Sequence, residues 1–147
     1  MYKISRIDES LTWKYHIAFV CSRISRNIGI ISKLRYYLST QQLKQIYYNL
    51  IYPCISYSIL ASGSVYKTHI KKIQIKQNHT VRSIFFARTF GRERESASAK
   101  PLLNLLDLLT VDNISRLEVL KFSHSWHNGL LPEVFDNTFQ HARNTHR

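Results

Sequence analysis

The sequence predicts an all-α domain of about five helices packed around a central, proline-kinked helix. Three observations point there. Apolar residues recur at helical spacing along most of the chain. Proline and glycine are scarce, with three and four residues in 147, which suits long helices better than a turn-rich β-fold. An apolar content of 44% supports one hydrophobic core and argues against disorder.

Residues 2–7 read as a short strand or extended lead-in, marginal without a sheet to join. Thr12 is placed to cap a first helix to about Leu38, with Ile17, Val20, Cys21, Ile24, Ile28, Ile31 and Leu34 on one face. Ser22, Ser25, Gly29 and Ser32 make a small-residue stripe on the opposite face. That stripe is either a solvated polar face or a seam open to a close backbone, of protein or of nucleic acid. Arg23 and Lys33 flank the core stripe and reach outward.

The central helix spans residues 41–63, capped by Ser39 or Thr40. Leu43, Ile46, Tyr47, Leu50, Ile51, Cys54 and Ala61 form one apolar stripe, and Tyr48, Tyr52, Ile55 and Ile59 form another. A helix with two apolar stripes has neighbours on both sides. Pro53 lacks an amide hydrogen and crowds the preceding turn, so a kink or break is expected there. Tyr47, Tyr48, Tyr52 and Tyr57 offer rings for base stacking, but their spacing fits core packing better.

Thr68 caps a third helix to about Phe86, with Ile70, Ile73, Gln77, Val81 and Ile84 inward. Lys72, Lys76, His79 and Ser83 are expected on its outer face, with Lys71 and Arg82 beside them. Residues 87–99 read as a loop around Gly91. A short apolar helix covers 100–109, with Pro101 in its first turn. Thr110 caps a fifth helix to about Asn128, with Val111, Ile114, Leu117, Leu120 and His124 inward, and Gly129 stops it. Residues 130–135 are expected to pack back, and 136–147 to fray.

Charge divides the chain. The total is +12, and between Ser10 and Arg92 there are thirteen Lys or Arg and no acid. From Glu93 onward, seven acids meet six Lys or Arg. A long acid-free basic region implies a polyanionic partner, with nucleic acid ahead of an anionic membrane surface. The phosphate-contact candidates are Arg23, Lys33, Lys71, Lys72, Lys76, Arg82, Arg88 and Arg92. Their role would be to neutralise phosphates, which fixes register without reading sequence.

Cys21 and Cys54 fall at apolar helix positions and read as free thiols, in keeping with an intracellular compartment, cytoplasmic or nuclear. No stretch approaches the length of a membrane span. His124 and His127, with His141 and His146, are too loosely spaced to resemble a structural zinc site. No glycine-rich phosphate loop or nucleophile elbow is present.

The wording of several segments carries a resemblance. LKQIYYNLIYPCISYSILASG, preceded by IDESLTWKYHI and IGIISKLRYYL and followed by KPLLNLLDLLTVDN and LEVLKFSHSWHNGLLPEVF, resembles the region after the polymerase domain of non-LTR (LINE-type, jockey-like) retrotransposon reverse transcriptases. These motifs run in order from about Ile7 to Phe135. The glycine usual at the lead-in strand is absent, with Ile4 or Ser5 in its place. The resemblance implies an extended lead-in from a palm at 1–11 and a basic thumb-like region at 12–90. A loop at 91–99, a neutral helical region at 100–135 and a tail at 136–147 complete it. Its expected partners are RNA, RNA/DNA or DNA duplexes and the palm itself, with no membrane. Mg²⁺ would belong to the palm, and no cofactor to this chain. A polymerase clusters carboxylates around two metal ions, yet only Asp8 and Glu9 precede Glu93. Such a region would bind template–primer without extending it. The competing expectation is a decayed, transposon-derived module acting only through protein–protein contacts, with apolar faces left exposed.

Overall fold

The computed structural model describes residues 13–62, 67–85 and 98–132. The lead-in, Thr12, the end of the central segment at 63–66, Arg88, Arg92, His141, His146 and the tail lie outside them. Six helices make up the described chain: α1 (Lys14–Leu34), α2 (Thr40–Leu50), α3 (Tyr52–Ser62), α4 (Lys67–Phe85), α5 (Ala99–Leu105) and α6 (Val111–His127). The all-α class holds, and no strand occurs among the described residues.

The helix ends follow local chemistry. Ser39, in extended conformation, caps α2 through a reciprocal capping box with Gln42. That extended residue requires a turn before it, so α1 stops at Leu34 rather than at Leu38. Thr110 accepts a hydrogen bond from the Asn113 amide and starts α6. Gly129, at φ 63°, ends it. There the Leu130 amide bonds the Ser125 carbonyl and the Gly129 amide that of Trp126, the two bonds of a Schellman turn.

A second turn of this kind shortens α5. Asp107 takes φ 51°, a left-handed conformation that Asp tolerates better than most residues. The Leu108 amide reaches back to Leu103 and that of Asp107 to Asn104. The helix therefore ends at Leu105 instead of 109, and Leu108 buries its side chain.

The central segment is divided rather than bent. Ile51 separates α2 from α3, two residues before Pro53. Pro53 offers no amide to the Asn49 carbonyl one turn back. Beside the break, the Leu50 carbonyl accepts Asn27 Nδ2 at 2.9 Å from α1 and the Cys54 thiol at 3.3 Å. The neighbouring helix thus supplies a donor at the place where the helical ladder is interrupted.

These contacts set direction. Asn27 lies by Leu50 and His16 by Tyr57, so α2 and α3 run back along α1. Ser32 meets Ser83, while Lys72 and Lys76 lie near Cys21, so α4 runs parallel to α1. The result is an up–down–up arrangement, with α5 on α4 and α6 on α3 and α4. Its core is Ile17, Val20, Ile24 and Ile31 against Leu43, Tyr47, Ile51, Ile55 and Ile59, closed by Ile73, Val81 and Ile84 and then by Leu103, Val111 and Ile114.

Two inward assignments on α6 do not hold. Leu120 is 66% exposed and His124 is exposed, while Ser115 and Glu118 are buried. Leu120 lies nine residues after Val111, which is two and a half helical turns and hence the opposite face. The Glu118 carboxylate is held by Lys121 Nζ at 3.1 Å. Leu130 is exposed and does not pack back.

His16 is buried between Trp13 and Tyr57, and neither ring nitrogen has a hydrogen-bond partner. Burial pushes its imidazole below the ordinary value of 6.5. The unfolded chain therefore binds a proton that the folded chain resists. Stability from this residue is full above about pH 6.5 and falls as pH drops below it. His16→Phe keeps a ring in place and is expected to shrink the loss in urea midpoint between pH 7.5 and 5.5. An equal loss in both proteins would contradict the assignment.

Candidate nucleic-acid interface

The site is built on α1 and α4, which share the most extensive helix–helix contact among the described elements. On α4, Lys72, Lys76, His79 and Ser83 form a row at steps of four, three and four. That row does not lie opposite the core. Ser83 is buried, and its hydroxyl meets that of Ser32 at 2.6 Å. Lys76 is half-buried, and Lys72 and His79 are exposed. The row therefore borders α1, because Ile73, Gln77, Val81 and Ile84 turn the helix so that its flank meets that neighbour.

Across this seam stands part of the small-residue stripe of α1. Ser32 makes the close contact, and Ser25 turns its hydroxyl back to the Cys21 carbonyl at 2.9 Å. Gly29 and Ser22 are exposed. A β-carbon on Gly29 would meet no atom within 4 Å, so no neighbouring backbone presses on it. The expected close approach occurs only at the Ser32 end.

Burial raises the Cys21 thiol, and the charges of Lys76 and then Lys72 oppose that shift. His69 is lowered by burial and by the positive charge of Lys72. In both cases burial is the larger cause, and the lysine charges add to it at His69 and oppose it at Cys21. Three ion pairs occur among the described residues: Lys44–Asp107, Arg116–Asp112 and Lys121–Glu118. None involves Arg23, Lys33, Lys71, Lys72 or Lys76. Lys44, which belongs to the acid-free region, is matched by an acid supplied from the α5–α6 turn.

The six described candidates do not converge on one point. Lys72 and Lys76 share the seam. Lys71 is exposed on the back of α4, and Arg82, on the same side by helical phase, is half-buried. Lys33 is exposed on the outer side of α1. Arg23 lies toward α3, where its charge reaches Cys54. Arg88 and Arg92 are outside the described residues. Arg26, exposed on α1, was not among the candidates, although it lies on the same outer face as Lys33, seven residues along.

Of the four tyrosines, Tyr47 is core, its hydroxyl accepting from Gln77 Nε2 at 2.7 Å and its phenol pushed up to about 12 by burial. Tyr48 and Tyr57 are exposed. Tyr48 and Tyr52 join Leu108 and Leu109 around a hollow of about 190 Å³, below the usual size of small-molecule pockets. Among the described residues, no three of His, Cys, Asp and Glu come together as metal ligands. No described helix is long and apolar enough to cross a membrane.

Comparison with protein-family models, with curated proteins and with solved structures finds no match.

Proposed function

We propose that this chain is a non-catalytic, nucleic-acid-binding helical region, of the kind that follows the palm in LINE-type reverse transcriptases. It holds the template–primer duplex through its phosphates. The observation that carries the reading is the α1–α4 seam, where Lys72 and Lys76 stand side by side in a stretch with no acidic residue. Cations without carboxylate partners are free to exchange their counterions for phosphate, which is what drives sequence-independent binding. The resemblance of the ordered motifs supplies the polymerase context, and the acid-free region supplies the physical role.

Two measurements test this. The purified chain should retard an RNA/DNA duplex, and with primer–template, Mg²⁺ and dNTPs it should extend nothing. Chelator-sensitive extension by a clean preparation would contradict the non-catalytic reading. Failure to bind any duplex at low salt would contradict the binding reading.

A protein-interaction module is the second reading. It draws on the exposed Leu60, Val119, Leu120 and Leu130. It predicts self-association at every salt concentration in size-exclusion chromatography, where the first reading predicts a monomer.

A further inference from the structure

The outer face of α1 is occupied by neither the core nor the α4 seam. Tyr15, Phe19, Arg23, Arg26, Ile30 and Lys33 follow one another at steps of four, four, three, four and three, the spacing of a single helical face. Tyr15 is 63% exposed, Phe19 40% and Ile30 44%, and all three cations are exposed. Beyond the helix, Tyr37 in the α1–α2 turn is 86% exposed and extends the line. Beside it, Arg35 already stacks on the Tyr36 ring, 5.0 Å from its centroid.

We propose that this face is a track for single-stranded nucleic acid, with bases stacking on Tyr15, Phe19 and Tyr37 and phosphates meeting Arg23, Arg26 and Lys33. Rings at both ends of a run of cations, with no acid along the helix to repel a backbone, form a combination that binds single strands regardless of sequence. Four residues of helix advance about 6 Å, so successive groups can follow a strand along the axis.

Other occupants fit less well. A helix lying on a membrane carries a broad apolar face, whereas Phe19 and Ile30, eleven residues apart, fall within about 20° of each other and make only a narrow apolar strip. A second copy would bring three like charges onto one seam, which costs binding energy. The surface is distinct from the α4 row: that row predicts a salt-dependent duplex interaction, and this face predicts a dependence on bases. Either can fail alone.

The test is fluorescence anisotropy of the full chain with two labelled single strands of about 12 nucleotides, a length such surfaces cover. One is oligothymidylate, and the other is an abasic strand with the same phosphates. The native chain should bind the base-bearing strand about tenfold or more tighter, the order of effect expected of stacking. Tyr15→Ala/Tyr37→Ala should cut that preference several-fold, to what Phe19 alone holds, and leave abasic binding unchanged. Both residues are exposed, so the melting temperature should not move, and Tyr15→Trp should keep the preference. Equal binding of both strands by the native chain would overturn the proposal, as would a preference that the double substitution leaves undiminished. If the native chain binds phosphatidylserine-containing vesicles, and the double substitution abolishes that binding while leaving the base preference undiminished, the proposal is likewise overturned, in favour of a membrane surface.

Discussion

Replacing Gln77 with leucine is expected to lower the unfolding free energy by about 3–5 kcal/mol, since each buried polar group left without a partner costs about 1–3 kcal/mol. Gln77 is fully buried on α4 and donates through Nε2 to the Tyr47 hydroxyl at 2.7 Å and to the Leu109 carbonyl at 2.8 Å. Its Oε1 accepts from Gln74 Nε2 at 2.8 Å, and Gln74 Oε1 in turn accepts the Val111 amide at 2.8 Å. That amide belongs to the first turn of α6, where the helix supplies it with no acceptor. Two glutamines one turn apart therefore fasten α2, the α5–α6 connection and the start of α6 to α4. Leucine matches the volume but orphans a buried hydroxyl and a carbonyl. Against a total stability of about 5–15 kcal/mol, the loss would be large.

The sign of a double substitution separates this network from simple packing. Tyr47→Phe removes the hydroxyl that Gln77→Leu would strand. The pair should be more stable than Gln77→Leu alone, a coupling measurable from urea midpoints. Additive losses would mean that the hydroxyl finds another partner when Gln77 is gone.

Much of the framework is legible in local sequence. Ser39, Thr110 and Gly129 act where cap chemistry places them, because a cap depends on a few adjacent residues. The inward stripes of α1 and α4, Gln77 included, follow from period alone. What stayed hidden depends on partners distant in sequence. Pro53 announces an interruption, but the division at Ile51 leans on Asn27, which meets it only in the folded chain. Asp107 ends α5 by adopting a conformation that its type tolerates without demanding. Leu120 was placed inward by hydropathy, against its phase on the helix.

The candidate site was legible by composition more than by geometry. The absence of acids from Ser10 to Arg92 marks the region, and the row Lys72–Lys76–His79–Ser83 is visible as a period. Its position was not. Whether a helical flank faces solvent or a neighbour depends on how helices pack, and Ser83 is settled by Ser32, which is 51 residues away. On α1 the core stripe is the stronger periodic signal, and the mixed polarity of the outer face hides it from a hydropathy pattern. Its aromatic and basic residues were nonetheless regularly spaced.

The salt dependence of duplex binding tests the central claim most directly. Lys72→Gln/Lys76→Gln removes two charges and keeps most of the aliphatic stem, which matters for the half-buried Lys76. Stability should change by less than about 0.5 kcal/mol. If each lysine neutralises a phosphate, the slope of log affinity against log salt should flatten by about 1.8, at about 0.9 per contact. Between 50 and 200 mM salt, the native chain should then lose about tenfold more affinity than the variant. The change should be the same for every duplex sequence, because phosphates carry no base identity. A folded double variant with an unchanged slope would contradict the account and place the nucleic-acid surface away from the α1–α4 seam.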